Sequence, residues 1–225
     1  MRFDPRLLAV YLVTDHAQCA AAGRSVAATV AAAVGAGVRA VQVRAKDSRG
    51  AGFLDEVLAV ADAVAGVPGG EQVALFVNDR VDVALAAHAA GVRLAGVHVG
   101  QDDLPAAVVR GLLWPGALLG VSVSTAEQTR AAEPHADYIG IGPFRDTATK
   151  PDAAAALAAG GVAALTVATT VPAVTIGGVA VADLPLLRTL GLVGVAVVSG
   201  ICAAPDAAAA ARAYVSGWTS GSEAA

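Results

Sequence analysis

One rhythm recurs along the chain: a short apolar run, a polar or glycine-rich cluster, then an alanine-rich segment with helical spacing. The apolar runs Ala9–Thr14, Ala40–Arg44, Val73–Asn78, Gly96–Val99, Ala117–Ser122, Tyr138–Gly142, Ala173–Gly177 and Val195–Ser199 are expected to be strands. They recur at a mean spacing of roughly 27 residues, enough for a strand, two loops and a three-turn helix. Several are uniformly apolar, as in Val195-Ala196-Val197-Val198. That pattern suits strands covered on both faces, hence a parallel sheet. Eight such units predict an α/β fold, a (β/α)8 TIM barrel spanning residues 1–225 as a single domain. An open doubly wound sheet would want a glycine fingerprint after the first strand, and Tyr11-Leu12-Val13-Thr14-Asp15-His16 carries none.

Helix signals fill the gaps. Ser25 is expected to cap Val26–Val34, with Gly35 and Gly37 ending it. Ser48 precedes a second helix from about Gly52 to Ala65, and Asp82–Ala90 stops at Gly91. Pro105 fits a first-turn position before Ala106–Arg110. Ser124 with Glu127 reads as a capping box. Asp152, Asp183 and Asp206 are expected to cap the last three helices. Residues 216–225 are small and polar and read as a frayed tail.

Composition narrows the function. The 225 residues are 56% hydrophobic and 15% charged, with a formal net charge of −4. No basic block appears, so a nucleic-acid surface is not expected and any anion must be met by locally placed cations. Cys19 and Cys202 alone make neither a disulfide framework nor a zinc pattern, and both read as reduced thiols. The uncharged stretch from Ala153 to Ala182 is alanine-rich and broken by glycines and Pro172, which argues against a membrane span. No targeting segment is legible near Leu7–Val13, which lies between Asp4 and Asp15. The expectation is a cytoplasmic protein, with no membrane partner and room for a homo-oligomer.

Candidate chemistry gathers at the carboxyl ends of the strands, the face on which barrels build their sites. Gly140 to Pro151 forms a strand-to-helix loop carrying Thr147, Thr149 and Lys150. Hydroxyls, amides and a fixed positive charge together suit a polyanion such as pyrophosphate, although the same residues also make ordinary polar loops. Arg44 and Lys46 end the second strand. Asp79 and Asp103 follow the third and fourth. Two carboxylates on neighbouring strands suit Mg2+, a hard ion that also takes phosphate oxygens and water; the bland alternative is a set of rim ion pairs. Gln42, Asn78 and Ser122 offer hydrogen bonds to a polar ring. Gly177-Gly178 and Ser199-Gly200 form a second candidate phosphate site, or simply tight turns. His98, inside an apolar run with no second histidine at metal-ligand spacing, reads as structural.

Taken together, these motifs resemble the thiamine-phosphate synthase family over nearly the whole chain, from Tyr11-Leu12-Val13-Thr14-Asp15 to Gly194-Val195-Ala196-Val197-Val198-Ser199. Gln42-Val43-Arg44-Ala45-Lys46 looks like the family's pyrimidine-diphosphate stretch. Asn78-Asp79-Arg80 and Gly96-Val97-His98-Val99-Gly100-Gln101-Asp102-Asp103 look like its two Mg2+ segments. The resemblance puts the metal on Asp79 and Asp103, a pyrimidine contact on Ser122, and diphosphate contact on Lys150. It gives Thr147, Thr149, Gly178, Val198 and Ser199 to the thiazole phosphate. It implies small-molecule substrates, 4-amino-2-methyl-5-hydroxymethylpyrimidine diphosphate and thiazole phosphate, giving thiamine phosphate and pyrophosphate. The implied path is Mg2+-assisted and dissociative, with Arg44, Lys46 and Lys150 stabilising the leaving group. A thiazole tautomerase on the same barrel and a non-catalytic phosphate-binding regulator are the alternatives. Two departures accompany the resemblance. The segment around His88–Leu94 is longer than the family pattern, and Phe144-Arg145-Asp146 replaces a more apolar stretch.

Overall fold

The computed structural model describes residues 3–45, 50–146 and 155–220. Eight parallel strands close into a barrel in sequence order: β1 (Val10–Val13), β2 (Ala40–Val43), β3 (Ala74–Asn78), β4 (Gly96–Val99), β5 (Leu118–Val123), β6 (Tyr138–Ile141), β7 (Ala173–Thr175) and β8 (Gly194–Val197). The last strand pairs with the first through Val10↔Val195 and Leu12↔Val197. Each apolar run of the sequence holds one strand. The observed strands stop short of several expected ends. Ser199, for example, belongs to the following helix and not to β8.

Ten helices among the described residues wrap the barrel: α1 (His16–Ala21), α2 (Val26–Gly35), α3 (Gly50–Ala65), α4 (Val81–Ala89), α5 (Ala106–Leu112), α6 (Ala126–Ala132), α7 (Ala158–Val167), α8 (Leu184–Thr189), α9 (Ser199–Cys202) and α10 (Ala207–Thr219). None is long and apolar enough to cross a membrane. The buried apolar residues form two sets. The larger lies between strands and helices, with Val41, Val57, Phe53, Ile139 and Leu187 fully enclosed. The smaller fills the barrel itself, where Tyr11, Phe76 and Tyr138 pack edge-to-face at 5.4–5.8 Å between ring centres.

Local signals act mostly where the sequence put them. Ser25 Oγ accepts the Ala28 amide and Asp206 Oδ1 accepts that of Ala209. Four expectations are corrected. The α6 cap is Thr125, whose hydroxyl accepts the Gln128 amide, while Gln128 reaches back to Ser124; Glu127 takes no part in this cap. Pro105 is the N-cap of α5, one place before the expected first turn. Asp183 does not cap α8; its carboxylate accepts the Ala180 amide and an arginine instead. Helix α10 continues through 216–219, where fraying was expected. Trp218 packs on the core there, and Arg188 donates to the carbonyls of Gly217 and Trp218, filling acceptors a helix end leaves open. Ser48 and Asp152 lie outside the described residues.

Candidate active site

The strand ends open onto one cavity of about 420 Å3. Gln42, Arg44, Asn78, Asp79, Asp103, Ser122, Gly178, Val198 and Ser199 all line it. These are all the candidates that fall within the described residues; Lys46, Thr147, Thr149 and Lys150 lie outside them. Residues more than 150 positions apart thus meet because consecutive parallel strands all point their carboxyl ends the same way.

Asp79 follows β3 with a left-handed backbone, φ 58°. Aspartate is among the few residues that enter this region readily. Its amide donates to the His98 carbonyl at 2.8 Å, which fixes the turn to β4. Asn78 Nδ2 donates to Asp79 Oδ2 at 2.5 Å. Burial, together with the neighbouring Asp103 carboxyl, pushes the Asp79 carboxyl up to about 7, against the pull of Asn78 and Arg44. Asp103 Oδ2 also accepts the Gly100 amide at 2.7 Å, tying the loop after β4. Two carboxyls crowded at one half-buried spot repel each other when ionised. A hard divalent cation with one or two carboxylates, waters and phosphate oxygens relieves that crowding, so the donor set fits such an ion. Among the described residues no larger cluster of His, Cys, Asp or Glu offers another site.

Arg44 is the described cation here. Its amide donates to Thr14 Oγ1 at 2.9 Å, and its guanidinium lies 3.6 Å from Asp15, with both side chains largely covered. Deeper in the barrel, Gln42, Tyr11 and His98 line the floor. His98 is 7% exposed and bonded to Tyr138 and Ser122.

The opposite wall is the Gly177-Gly178 turn, with φ of 100° and 64°. A Cβ at Gly177 would meet Pro143 Cβ at 2.7 Å, so glycine is required for the close approach of β6 and β7 loops. Arg145, absent from the sequence candidates, clasps this wall. It donates to the Gly178 carbonyl at 3.0 Å and pairs with Asp183 at 2.5 Å. Gln101 Nε2 donates to the Ser122 carbonyl at 2.6 Å and was also not singled out. The only signal that could have found Arg145 was a lone cation beside a glycine-rich loop. Cys19 and Cys202 are both buried and free, with their thiols in hydrogen-bond contact.

A closed eight-stranded α/β barrel whose carboxyl rim gathers two carboxyls, an arginine and glycine turns into one cavity defines a (β/α)8 protein with a small-molecule-sized site at the carboxyl ends of its strands. Comparison with known proteins sharpens this. The family model described as thiamine monophosphate synthase matches residues 10–201. A thiamine-phosphate synthase of Laribacter hongkongensis is 46% identical over 204 residues, covering 90% of this chain and 92% of that protein. One from Roseiflexus castenholzii is 43% identical, covering 91% and 85%. The solved thiamine phosphate pyrophosphorylase of Pyrococcus furiosus superposes with a TM-score of 0.82 at 25% identity, covering 96% of this chain and 98% of that one. The chain belongs to the thiamine monophosphate synthase family.

Proposed function

We propose that this protein is a thiamine-phosphate synthase, a transferase. It joins 4-amino-2-methyl-5-hydroxymethylpyrimidine diphosphate to thiazole phosphate and releases pyrophosphate. The observation that carries this is the convergence of the nine described candidate residues on one cavity in a chain of this family. Gln42, Asn78 and Ser122 face the heterocycle. Arg44, with Lys46 and Lys150, meets the diphosphate. Gly178, Val198 and Ser199, with Thr147 and Thr149, hold the thiazole phosphate.

Asp79 and Asp103 would hold Mg2+, which would supply charge neutralisation for the diphosphate. Arg44 adds a positive charge; Thr14 anchors its backbone amide and Asp15 its guanidinium, so little reorganisation is needed as negative charge builds on the leaving oxygens. The carbon–oxygen bond breaks with its electron pair leaving on pyrophosphate. The amino-pyrimidine ring stabilises the benzylic-type cation left behind. The thiazole nitrogen donates the pair for the new carbon–nitrogen bond. The protein's part is to hold both rings together and exclude water, and no side-chain nucleophile is required.

The test is pyrophosphate release measured with both substrates and with each omitted in turn. Release is expected only with both present and Mg2+ added. Asp79→Ala and Lys150→Ala are each expected to lose at least ~100-fold in turnover, the scale of one strong electrostatic contact. Near-normal rates in both variants, or conversion of the thiazole alone, would overturn the assignment.

A further inference from the structure

The turn after β7 is held by its carbonyls. Gly177 and Gly178 have no side chains, and their φ angles of 100° and 64° leave nothing of their own to fix the turn. Three consecutive carbonyls are each taken by a donor. The Arg145 amide donates to Gly177 at 3.0 Å, Arg145 Nη1 to Gly178 at 3.0 Å, and the Tyr214 hydroxyl to Val179 at 2.8 Å. Gly177, Gly178 and Val179 line the cavity, whereas Arg145 and Tyr214 do not. The tied carbonyls therefore point away from it.

A trans peptide sets each carbonyl opposite the N–H of the next residue. With the Gly177 and Gly178 carbonyls drawn outward, the Gly178 and Val179 amides face the cavity. Neither has a hydrogen-bond partner among the described residues. Two successive free amides make a concavity suited to an anion. The peptide that follows is gripped at both ends, its Val179 carbonyl by Tyr214 and its Ala180 amide by Asp183 Oδ2 at 2.8 Å.

We propose that Tyr214, on α10, is a positioning residue for the phosphate end of the ligand: it keeps the Gly178 and Val179 amides turned into the cavity beside Ser199. The identity of that ligand as thiazole phosphate rests on the synthase reading above.

Tyr214 touches two turns at once. A Cβ at Gly200 would strike its hydroxyl, so the phenol oxygen lies against the start of α9 while it bonds the turn after β7. A carbonyl carries no proton, so the phenol is the donor. Burial, with the Asp183 carboxylate nearby, raises the phenol above its ordinary range and keeps that proton in place. Tyr214 is 5% exposed and packs in the outer core. Phenylalanine there keeps the packing and removes the donor, so the turn loses one of its three ties while the helix stays docked.

Inorganic phosphate is the first probe, followed on the amide resonances of Gly178 and Val179. In the unaltered protein both are expected to shift as phosphate is added. In Tyr214→Phe the same shifts should need about three- to ten-fold more phosphate, the size of one neutral hydrogen bond. Resonances that ignore phosphate in the unaltered protein, or that respond at equal concentrations in both, overturn the proposal. Arg188→Ala loosens the end of the same helix without touching the turn, and is expected to leave the titration unchanged; an equal loss there overturns the proposal by making the effect one of general helix stability. In turnover, Tyr214→Phe should raise KM for thiazole phosphate about three- to ten-fold, with KM for the pyrimidine diphosphate within about two-fold. A matching rise in both constants, or in neither, counts against Tyr214 in the same way. Absence of synthase turnover in the unaltered protein overturns the synthase reading alone, and the phosphate titration then decides the role of Tyr214 by itself.

Discussion

Asp79→Asn separates the stability of the site from its chemistry. Asparagine keeps the shape, tolerates the left-handed backbone at φ 58°, and its oxygen can still accept from Asn78. Only the charge is lost. Burial and Asp103 lift the carboxyl from 3.8 to about 7. That interval corresponds to about 4 kcal/mol as a ceiling, at 1.36 kcal/mol per pH unit. Partial exposure and sharing with Asp103 reduce it to about 1–3 kcal/mol. The sign follows from proton uptake. Between about pH 4 and 7 the folded form holds a proton that the unfolded chain has lost, so wild-type stability falls as pH rises through that window and levels off above it. In chelator at pH 8, Asp79→Asn is therefore expected to melt above wild type by about 2–12 °C, taking 2–4 °C per kcal/mol for a chain of this size. At pH 4 the two should coincide. Scanning calorimetry or a fluorescence melt at both pH values measures the gap. A variant that melts at or below wild type at pH 8, or a gap equal at both pH values, refutes the reasoning.

Other substitutions follow from single contacts. Arg145→Ala removes the clasp on the Gly178 carbonyl and the half-exposed pair with Asp183. Stability is expected to change by less than about 1 kcal/mol, while KM for thiazole phosphate rises ~3–10-fold in steady-state assays. Gly178→Ala places a Cβ 3.0 Å from Arg145 Cβ at a positive φ; denaturant titration should show a loss of about 1–2 kcal/mol. Arg188→Ala frees two carbonyls at the end of α10; a cost of about 1–2 kcal/mol is expected, with faster amide exchange at residues 215–219 and not in the barrel strands.

Much of this architecture was legible in the chain. The strands are short apolar runs with no polar face, and such runs mean little except two-sided burial. Asp79, Asp103 and Arg44 could be named because each lies at the carboxyl end of such a run or within a few residues of it. What escaped notice depends on register or long-range contact. Helix α1 has six residues, too few to show a period, and only the Asp15 cap marks it. The Tyr11–Tyr138 bond joins positions 127 apart, and its existence depends on both side chains pointing inward at one level. Arg145 reads as a loop cation until Asp183, 38 residues on, gives it a fixed place. Nothing in a ten-residue tail of small polar residues announces that Trp218 finds the core.

The pairing of β8 with β1 has a further consequence. A closed ring has no exposed strand edge in the finished protein, but it acquires that protection late. During synthesis β1 leaves the ribosome with β2 available on one side, while its other partner begins at Gly194. Until then the growing sheet carries two open borders of unpaired amides and carbonyls. The nascent chain is thus most prone to sticking to its neighbours just before completion, and ribosome stalling short of Gly194 should yield a species that binds chaperones and aggregates.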